Sequence, residues 1–229
     1  MKKIVVLSGA GISAESGIST FRDSNGLWEN HRIEDVATPG GWEANPELVL
    51  EFYNQRRKQL FEVEPNEGHK ALVKLEDFYD VQIVTQNVDD LHERAGSSNV
   101  LHLHGELKKV RSSIDYNLVY DLNHWELKFG DKCEKGSQLR PHIVWFGEAV
   151  PSIILAEEHV IKADVLIIVG TSLNVYPAAG LVDVIKKGTK VYIVDPADVP
   201  TNGVENITLI KAGAGEGLAE LVNELTSSN

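Results

Sequence analysis

Ile4-Val5-Val6-Leu7-Ser8-Gly9-Ala10-Gly11-Ile12-Ser13, with Ser16-Gly17-Ile18 close behind, passes from a wholly apolar run straight into glycine. An apolar run of this length with no polar face reads as a strand buried on both sides, as in a parallel sheet covered by helices. The glycines would let backbone approach a pyrophosphate closely, with the N–H groups of a following helix turned toward the negative charge. A tight turn in an α/β sheet is the other reading. The usual dinucleotide fingerprint places its third glycine earlier and an acidic residue about 20 residues on. Here that place holds Phe21-Arg22-Asp23, and the next strand-like run begins only at Val81.

Working outward, β-branched runs recur at Val81 to Thr85, Ile143 to Phe146, Val165 to Val169, Val191 to Val194 and Ile207 to Ile210. All read as buried parallel strands. Between them Glu47 to Phe61, His69 to Phe78, Ile153 to Ile161 and Ala178 to Lys186 carry apolar residues at helical spacing. Strand alternating with helix predicts an α/β, Rossmann-like, doubly wound parallel sheet. Residues 31–64 and 109–139 break the rhythm and are expected to form a smaller module from two insertions. Residues 1–30, 65–108 and 140–229 would make the sheet domain. In the first insertion Asn45 is placed to cap a helix that has Pro46 at its first position.

Composition limits the partners. The 229 residues are 42% hydrophobic and 24% charged, which excludes disorder and collagen. Lys and Arg number 22 against 34 Asp and Glu, a formal charge of −12, so duplex nucleic acid is not an expected partner. A few focused cations can still hold a small anion. Cys133 is the only cysteine, which excludes an intramolecular disulfide and an all-thiolate zinc site within one chain and fits a reducing cytoplasm. No apolar stretch is long enough to span a membrane, and Ile4 to Leu7 is too short for a secretory leader.

Four further clusters fall at or near strand ends. Gln86-Asn87-Val88-Asp89-Asp90-Leu91-His92 follows the second strand, where open α/β sheets bind ligands, although an N-cap explains Asn87 or Asp89 alone. Leu101-His102-Leu103-His104-Gly105 offers two imidazoles, too few for zinc, with alternation sending them to opposite faces. His104 is the candidate general base. Gly170-Thr171-Ser172 ends another apolar run, and Arg140 to Glu148 holds Pro141-His142-Ile143-Val144-Trp145-Phe146-Gly147-Glu148.

Taken together, Gly9 to Arg22, Gln86 to His92, His104-Gly105, Pro141 to Glu148 and Gly170 to Ala178 stand in the order of one family. The chain resembles the sirtuins, NAD-dependent protein-lysine deacylases. The resemblance implies that NAD is consumed as a co-substrate. Gly9, Ala10, Gly11, Ser13, Phe21, Arg22, Gln86, Asn87, Asp89, Gly170, Thr171, Ser172 and Asp195 would bind it. Asp195 stands where the family usually has Asn.

In the implied chemistry the acyl oxygen displaces nicotinamide from the ribose to give an imidate. His104, with Asn87 and Asp89, would then activate a ribose hydroxyl, and lysine and O-acyl-ADP-ribose leave. Val144, Trp145, Phe146, Gly147 and Glu148 would bind the acylated protein or peptide, with 144–146 as an edge strand pairing with its backbone. Tyr53 and Arg56 match a pattern of sirtuins that prefer succinyl- and malonyl-lysine, since phenol and guanidinium together suit a carboxylate. Alternatively, Arg56-Arg57-Lys58 is a solvated basic face with Tyr53 packed beneath it.

Sirtuins typically carry two Cys-x-x-Cys pairs, which here reduce to Val110-Arg111-Ser112-Ser113-Ile114-Asp115 and Cys133. No structural zinc is expected, and Tyr116, Tyr120, Trp125 and Phe129 would supply an apolar substitute core. A monomer is expected. The alternatives are an ADP-ribosyltransferase or NAD hydrolase on the same scaffold, or a non-catalytic NAD-sensing module.

Overall fold

The structure, a computed structural model, describes residues 1–19, 27–28, 31–200 and 203–227. Strands are numbered along the chain: β1 Lys3–Ser8, β2 Leu27–Trp28, β3 His31–Arg32, β4 Asp80–Thr85, β5 Val100–His102, β6 Gly105–Ser112, β7 Val119–Asp121, β8 Leu139–Ile143, β9 Val165–Val169, β10 Lys190–Val194 and β11 Ile207–Ile210. The helices are α1 Gly11–Ala14, α2 Ile33–Val36, α3 Pro39–Ala44, α4 Pro46–Glu62, α5 Glu67–Leu75, α6 Leu91–Ala95, α7 Ile153–Ile161 and α8 Ala214–Ser227.

Six strands form one parallel sheet in the order β11-β10-β9-β1-β4-β5. The pleat sends successive side chains to opposite faces, and both faces are covered. Ile4, Val6, Ile83 and Ile167 pack with Leu72 and Leu75 of α5 and Leu218 and Leu221 of α8. Val5, Leu7, Val84 and Ile168 pack with Ala156 and Val160 of α7 and with Ala178 and Leu181 of a short 3₁₀ helix, Ala178–Val184. Because burial on both sides requires apolar residues at every position, the runs lack alternation. Asn45 caps α4 as expected, its side chain accepting from Leu48 N at 3.1 Å, with Pro46 in the first turn.

Register decides where the site lies. Ser8 aligns with Thr85 on one side and Val169 on the other, Val169 aligns with Val194, and Thr85 aligns with His102. The next residues, Gly9, Gln86, Gly170 and Asp195, therefore stand in one row along the carboxyl edge. From β1 the chain builds outward through β4 and β5, then crosses to β9, β10 and β11, so the strand order switches between β1 and β9. Open α/β sheets bind ligands at such a point.

A second sheet is antiparallel, in the order β7-β6-β8. Here the reading of Ile143 to Phe146 as a parallel strand needs correction. Leu139–Ile143 is an edge strand of the small sheet, with Pro141 where an edge tolerates a missing donor, and Val144 to Phe146 lies beyond it. The edge strand expected at 144–146 is thus absent.

The aromatic substitute core also needs correction, because Tyr116, Trp125 and Phe129 are 46%, 40% and 59% exposed. The core beneath this sheet is aliphatic: Leu50, Val110, Leu122 and Leu127, with Tyr120, Trp42 and Leu139 against it. Among the described residues no helix is long and apolar enough to cross a membrane.

Candidate active site

A cavity of about 520 Å³ opens along the carboxyl edge of the parallel sheet, and every candidate residue within the described part of the chain lines it. Phe21 and Arg22 lie outside the described residues. On the sheet side are Gly9, Ala10, Gly11, Ser13, Gln86, Asn87, Asp89, His104, Gly170, Thr171, Ser172 and Asp195. On the side of α4 and the β8 segment are Tyr53, Arg56, Val144, Trp145, Phe146, Gly147 and Glu148.

The glycines are needed by close backbone approach at the switch point. Gly9 N donates to Val169 O at 3.0 Å and Gly11 N to Gly170 O at 2.8 Å. A Cβ on Gly11 would sit 2.6 Å from Gly170 Cα, and one on Gly9 would sit 2.7 Å from Thr171 Cβ. Gly170 itself has φ +62°, a conformation natural to glycine. The helix that follows, α1, is only four residues long, so the expected contribution from its dipole is small.

A polar chain crosses the strand ends. Asn87 Nδ2 donates to Ser13 Oγ at 3.1 Å, and Ser13 Oγ donates to Asp89 Oδ2 at 3.0 Å. Asp89 Oδ1 also accepts from Leu91 N at 3.2 Å, although the N-cap position of α6 is Asp90 and neither Asn87 nor Asp89 occupies it. Burial raises the Asp89 pKa, with these bonds opposing. Gln86 Nε2 donates to Thr171 Oγ1 at 3.0 Å, bridging the ends of β4 and β9. Asp195, directly after β10, accepts from Ala197 N at 2.9 Å.

His104 stands past the end of β5. Its Nδ1 is 3.1 Å from Gln86 O, and a carbonyl only accepts, so Nδ1 carries the proton and Nε2 holds the lone pair. Burial lowers the His104 pKa, only partly offset by the Gln86 carbonyl, and the ring stays neutral near pH 7. That is the state a base requires. His102 lines a different, smaller cavity, as the alternation predicts.

The opposite wall is held by side chains. Glu148 accepts from Arg140 Nη1 at 2.8 Å, Arg140 Nη2 at 3.0 Å, Arg111 Nη2 at 3.1 Å and Trp145 N at 2.8 Å. Burial alone would raise the Glu148 pKa, but Arg140 and these bonds bring it below the usual carboxylate range. The Arg140 guanidinium lies 3.3 Å from the centre of the Trp145 ring, and Trp145 Nε1 donates to the Tyr53 hydroxyl at 3.0 Å. Burial pushes the Tyr53 pKa up against the lowering charge of Arg56, so the phenol keeps its proton. With Trp145 filling the acceptor side, the Tyr53 O–H is left as a donor. A solvated basic face on α4 is not what the structure shows. Arg56 is 8% and Arg57 0% exposed, and Arg57 donates to Leu107 O and Trp125 O.

Where the cysteine pairs would stand, Cys133 Sγ lies 3.2 Å from Ser137 Oγ and 3.5 Å from Ser112 Oγ, a thiol and two hydroxyls. Such a donor set does not suit tetrahedral zinc. Among the described residues no three His, Cys, Asp or Glu side chains come together to hold a metal.

Sequence reasoning missed Glu15, Gly213 and Ala214, which also line the cavity. Both Glu15 carboxylate oxygens accept from Gly215 N at the start of α8. The signal was present in the glycine-rich Ala212 to Gly217 ahead of Leu218, Leu221 and Val222, a helix start that the strand-led reading passed over.

With this geometry in view, the Sir2 family model matches residues 9–177. The chain belongs to the Sir2 family. It is 57% identical over 226 residues to an NAD-dependent protein deacylase of Bacteroides thetaiotaomicron, covering 96% of this chain and 97% of that one. It is 57% identical over 227 residues to an NAD-dependent protein deacylase of Helicobacter pylori strain 26695, covering 98% of each. A Sir2 homologue solved as an NAD complex superposes with a TM-score of 0.90 at 42% identity, covering 99% of this chain and 90% of that one. A Sir2 structure with p53 peptide and NAD+ superposes with a TM-score of 0.80 at 29% identity, covering 98% and 93%. The Rossmann-like sheet with a small antiparallel module is the Sir2 fold.

Proposed function

We propose that this Sir2 protein removes acyl groups from protein lysine side chains with consumption of NAD, preferring succinyl and malonyl over acetyl. One observation carries the reading: Tyr53 and Arg56 line the same cavity as His104, Asn87, Asp89 and the glycine edge. Its relatives' activity and the NAD complex of a homologue support the coarser part, and the phenol–guanidinium wall supports the finer part.

The residues present suit NAD. The Gly9 to Ser13 turn and Gly170 to Ser172 bring backbone and hydroxyls to the phosphate side, and Asp195 offers a carboxylate to ribose hydroxyls. Ser13, Gln86, Asn87 and Asp89 line the nicotinamide and ribose side, and Phe21 and Arg22 are assigned to cover it. NAD supplies the ribose carbon from which nicotinamide departs. His104 Nε2 takes the proton of a ribose hydroxyl. Tyr53 O–H and the Arg56 guanidinium hold the distal carboxylate of the acyl chain.

The peptide lies along Val144 to Glu148. Its backbone meets carbonyls there, because Val144 N donates to His104 O, Phe146 N to Ala37 O and Trp145 N to Glu148. Tyr53 and Arg56 of the substrate wall belong to the module of residues 31–64 and 109–139, and that module folds without structural zinc. We assign it a monomeric, cytoplasmic role on acylated proteins, with no nucleic-acid or membrane partner.

The test is mass spectrometry of acetyl-, succinyl- and malonyl-lysine peptides incubated with and without NAD, for the wild type and His104→Ala. NAD-dependent loss of succinyl and malonyl ahead of acetyl, abolished in the variant, is the expected result. Loss of acetyl alone overturns the acyl preference. Nicotinamide release with every peptide intact favours an NAD hydrolase or transferase, and NAD binding with no turnover favours a sensing module.

A further inference from the structure

Three successive carbonyls of the loop after β4 are held from one side. His104 Nδ1 donates to Gln86 O at 3.1 Å, His102 Nδ1 lies 2.9 Å from Asn87 O, and Leu107 N donates to Val88 O at 2.7 Å. The two histidines differ in their second nitrogen. His104 lines the active-site cavity, whereas His102 Nε2 lies 2.8 Å from Glu93 Oε1 of α6.

Proton counting makes that difference matter. The partners of His102 are a carbonyl and a carboxylate, and neither has a proton to give while Glu93 is ionised. A neutral imidazole has one N–H and one lone pair, so it serves one partner and sets its lone pair against the other. Both contacts are hydrogen bonds only when His102 is imidazolium.

We propose that His102, held as imidazolium by Glu93, is a positioning residue that fixes the Asn87 carbonyl and with it the 86–89 loop, so that turnover requires His102 charged while His104 is neutral. The inference rests on the deacylase reading for its kinetic consequence but not for the protonation state itself.

The surroundings agree. Burial would lower the His102 pKa, but the hydrogen bond and charge of Glu93, the Asn87 carbonyl and Glu106 raise it overall. Asp89 and His92 also interact with it electrostatically, and Arg111 and His142 line the same cavity of about 260 Å³. Glu93 in turn is pulled below the usual range by His102, against its own burial. Two imidazoles two residues apart are thus driven to opposite protonation states. A raised pKa means the proton is kept until pH climbs through it, so His102 sets the alkaline limb of activity and His104 the acid limb.

The experiment compares the full-length wild type with His102→Ala, His102→Asn and Glu93→Gln. NMR titration of the imidazole protons, without NAD, reads the protonation state directly. The pH profile of nicotinamide release with an acetyl-lysine peptide reads its consequence. We expect His102 to titrate above 6.5. In Glu93→Gln its midpoint and the alkaline limb both move down by about a unit while the acid limb stays.

His102→Ala lowers kcat by about tenfold or more with peptide KM within about twofold, and His102→Asn, which keeps a donor near the Nδ1 position, recovers most of the loss. A His102 midpoint at or below 6.5 overturns the proposal. So does an unmoved alkaline limb in Glu93→Gln, or equal losses in the Ala and Asn variants that track melting temperature. The NMR arm reads out even if no acyl peptide is turned over, which separates failure of this inference from failure of the deacylase reading.

Discussion

The two walls of the cavity are built by different means. The wall we assign to the cofactor is backbone: strand ends in one row, with Gly9, Gly11 and Gly170 packed so closely that a methyl group would strike main chain. The wall we assign to the acyl chain is a relay from Arg111 and Arg140 through Glu148 and Trp145 to Tyr53. Backbone geometry fixed by a sheet leaves little freedom, so the first wall suits chemistry that never changes. A side-chain relay can be altered one residue at a time, so the second suits selection among acyl groups.

The sharpest way to break the contrast is to put bulk into the cofactor wall. Gly11→Val places a Cβ 2.6 Å from Gly170 Cα, where neither backbone can yield cheaply. Turnover on every acyl peptide should fall at least ~100-fold, about 3 kcal/mol in kcat/KM, together with a lower melting temperature. Retention of NAD affinity in this variant would show that the close approach is not needed.

The cofactor wall should also be the acid-sensitive one. Beneath it, His92 Nε2 lies 2.9 Å from Ser8 Oγ, and the fully buried His69 packs edge-on against His92 at 5.0 Å. Burial lowers the His69 pKa to about 4, and it lowers that of His92 as well. Above pH 6.5 folded and unfolded states both hold neutral His69, so nothing is lost. As pH falls from 6.5 toward 4 the unfolded chain takes a proton that the folded chain refuses, and stability drops by about 3 kcal/mol from this residue. Thermal melts across that range, flattened in His69→Gln, check it.

On the acyl wall the effects should be smaller and selective. Trp145→Phe keeps the ring beneath Arg140 but deletes the N–H to Tyr53, leaving the phenol free to rotate. The succinyl-to-acetyl ratio of kcat/KM should fall by about fivefold, roughly 1 kcal/mol, with KM for NAD unchanged. Smallest of all is the effect of a chelator. EDTA should move neither melting temperature nor activity, since Leu50, Val110, Leu122 and Leu127 hold the small sheet.

The same contrast explains what could be read from the sequence. Ile4 to Leu7 and Val165 to Val169 announce a two-sided sheet because burial on both faces leaves no polar position, and Val81 to Thr85 departs from that pattern only at Gln82 and at Thr85, where the strand ends. The glycines and Gln86 to Asp89 follow directly from where those strands stop. Ile143 to Phe146 misled because a short apolar run looks alike in a parallel strand and in the edge of an antiparallel one. Only the pairing of β8 with β6 distinguishes them, and Gly105, at φ +84° and with space for no Cβ beside His142 O, marks the shift in that pairing.

The aromatic substitute core failed for a related reason. Tyr116, Trp125 and Phe129 lie in a segment whose aliphatic residues pack against α4, and sequence alone does not tell which side of a loop faces a helix far away in the chain. Arg56 and Arg57 look like solvated charge, yet both are buried: Arg57 donates to the carbonyls of Leu107 and Trp125, and Arg56 lies over the Phe52 ring one turn earlier on the same helix.

In our proposal one wall runs the reaction and the other chooses its substrate. The most direct measurement is kcat/KM for succinyl- and acetyl-lysine forms of one peptide, with KM for NAD, in the wild type and Arg56→Met. Succinyl should be favoured in the wild type, the order should reverse in the variant, and KM for NAD should stay within about twofold. A variant that keeps the wild-type order, or that loses both substrates and NAD together, would contradict it.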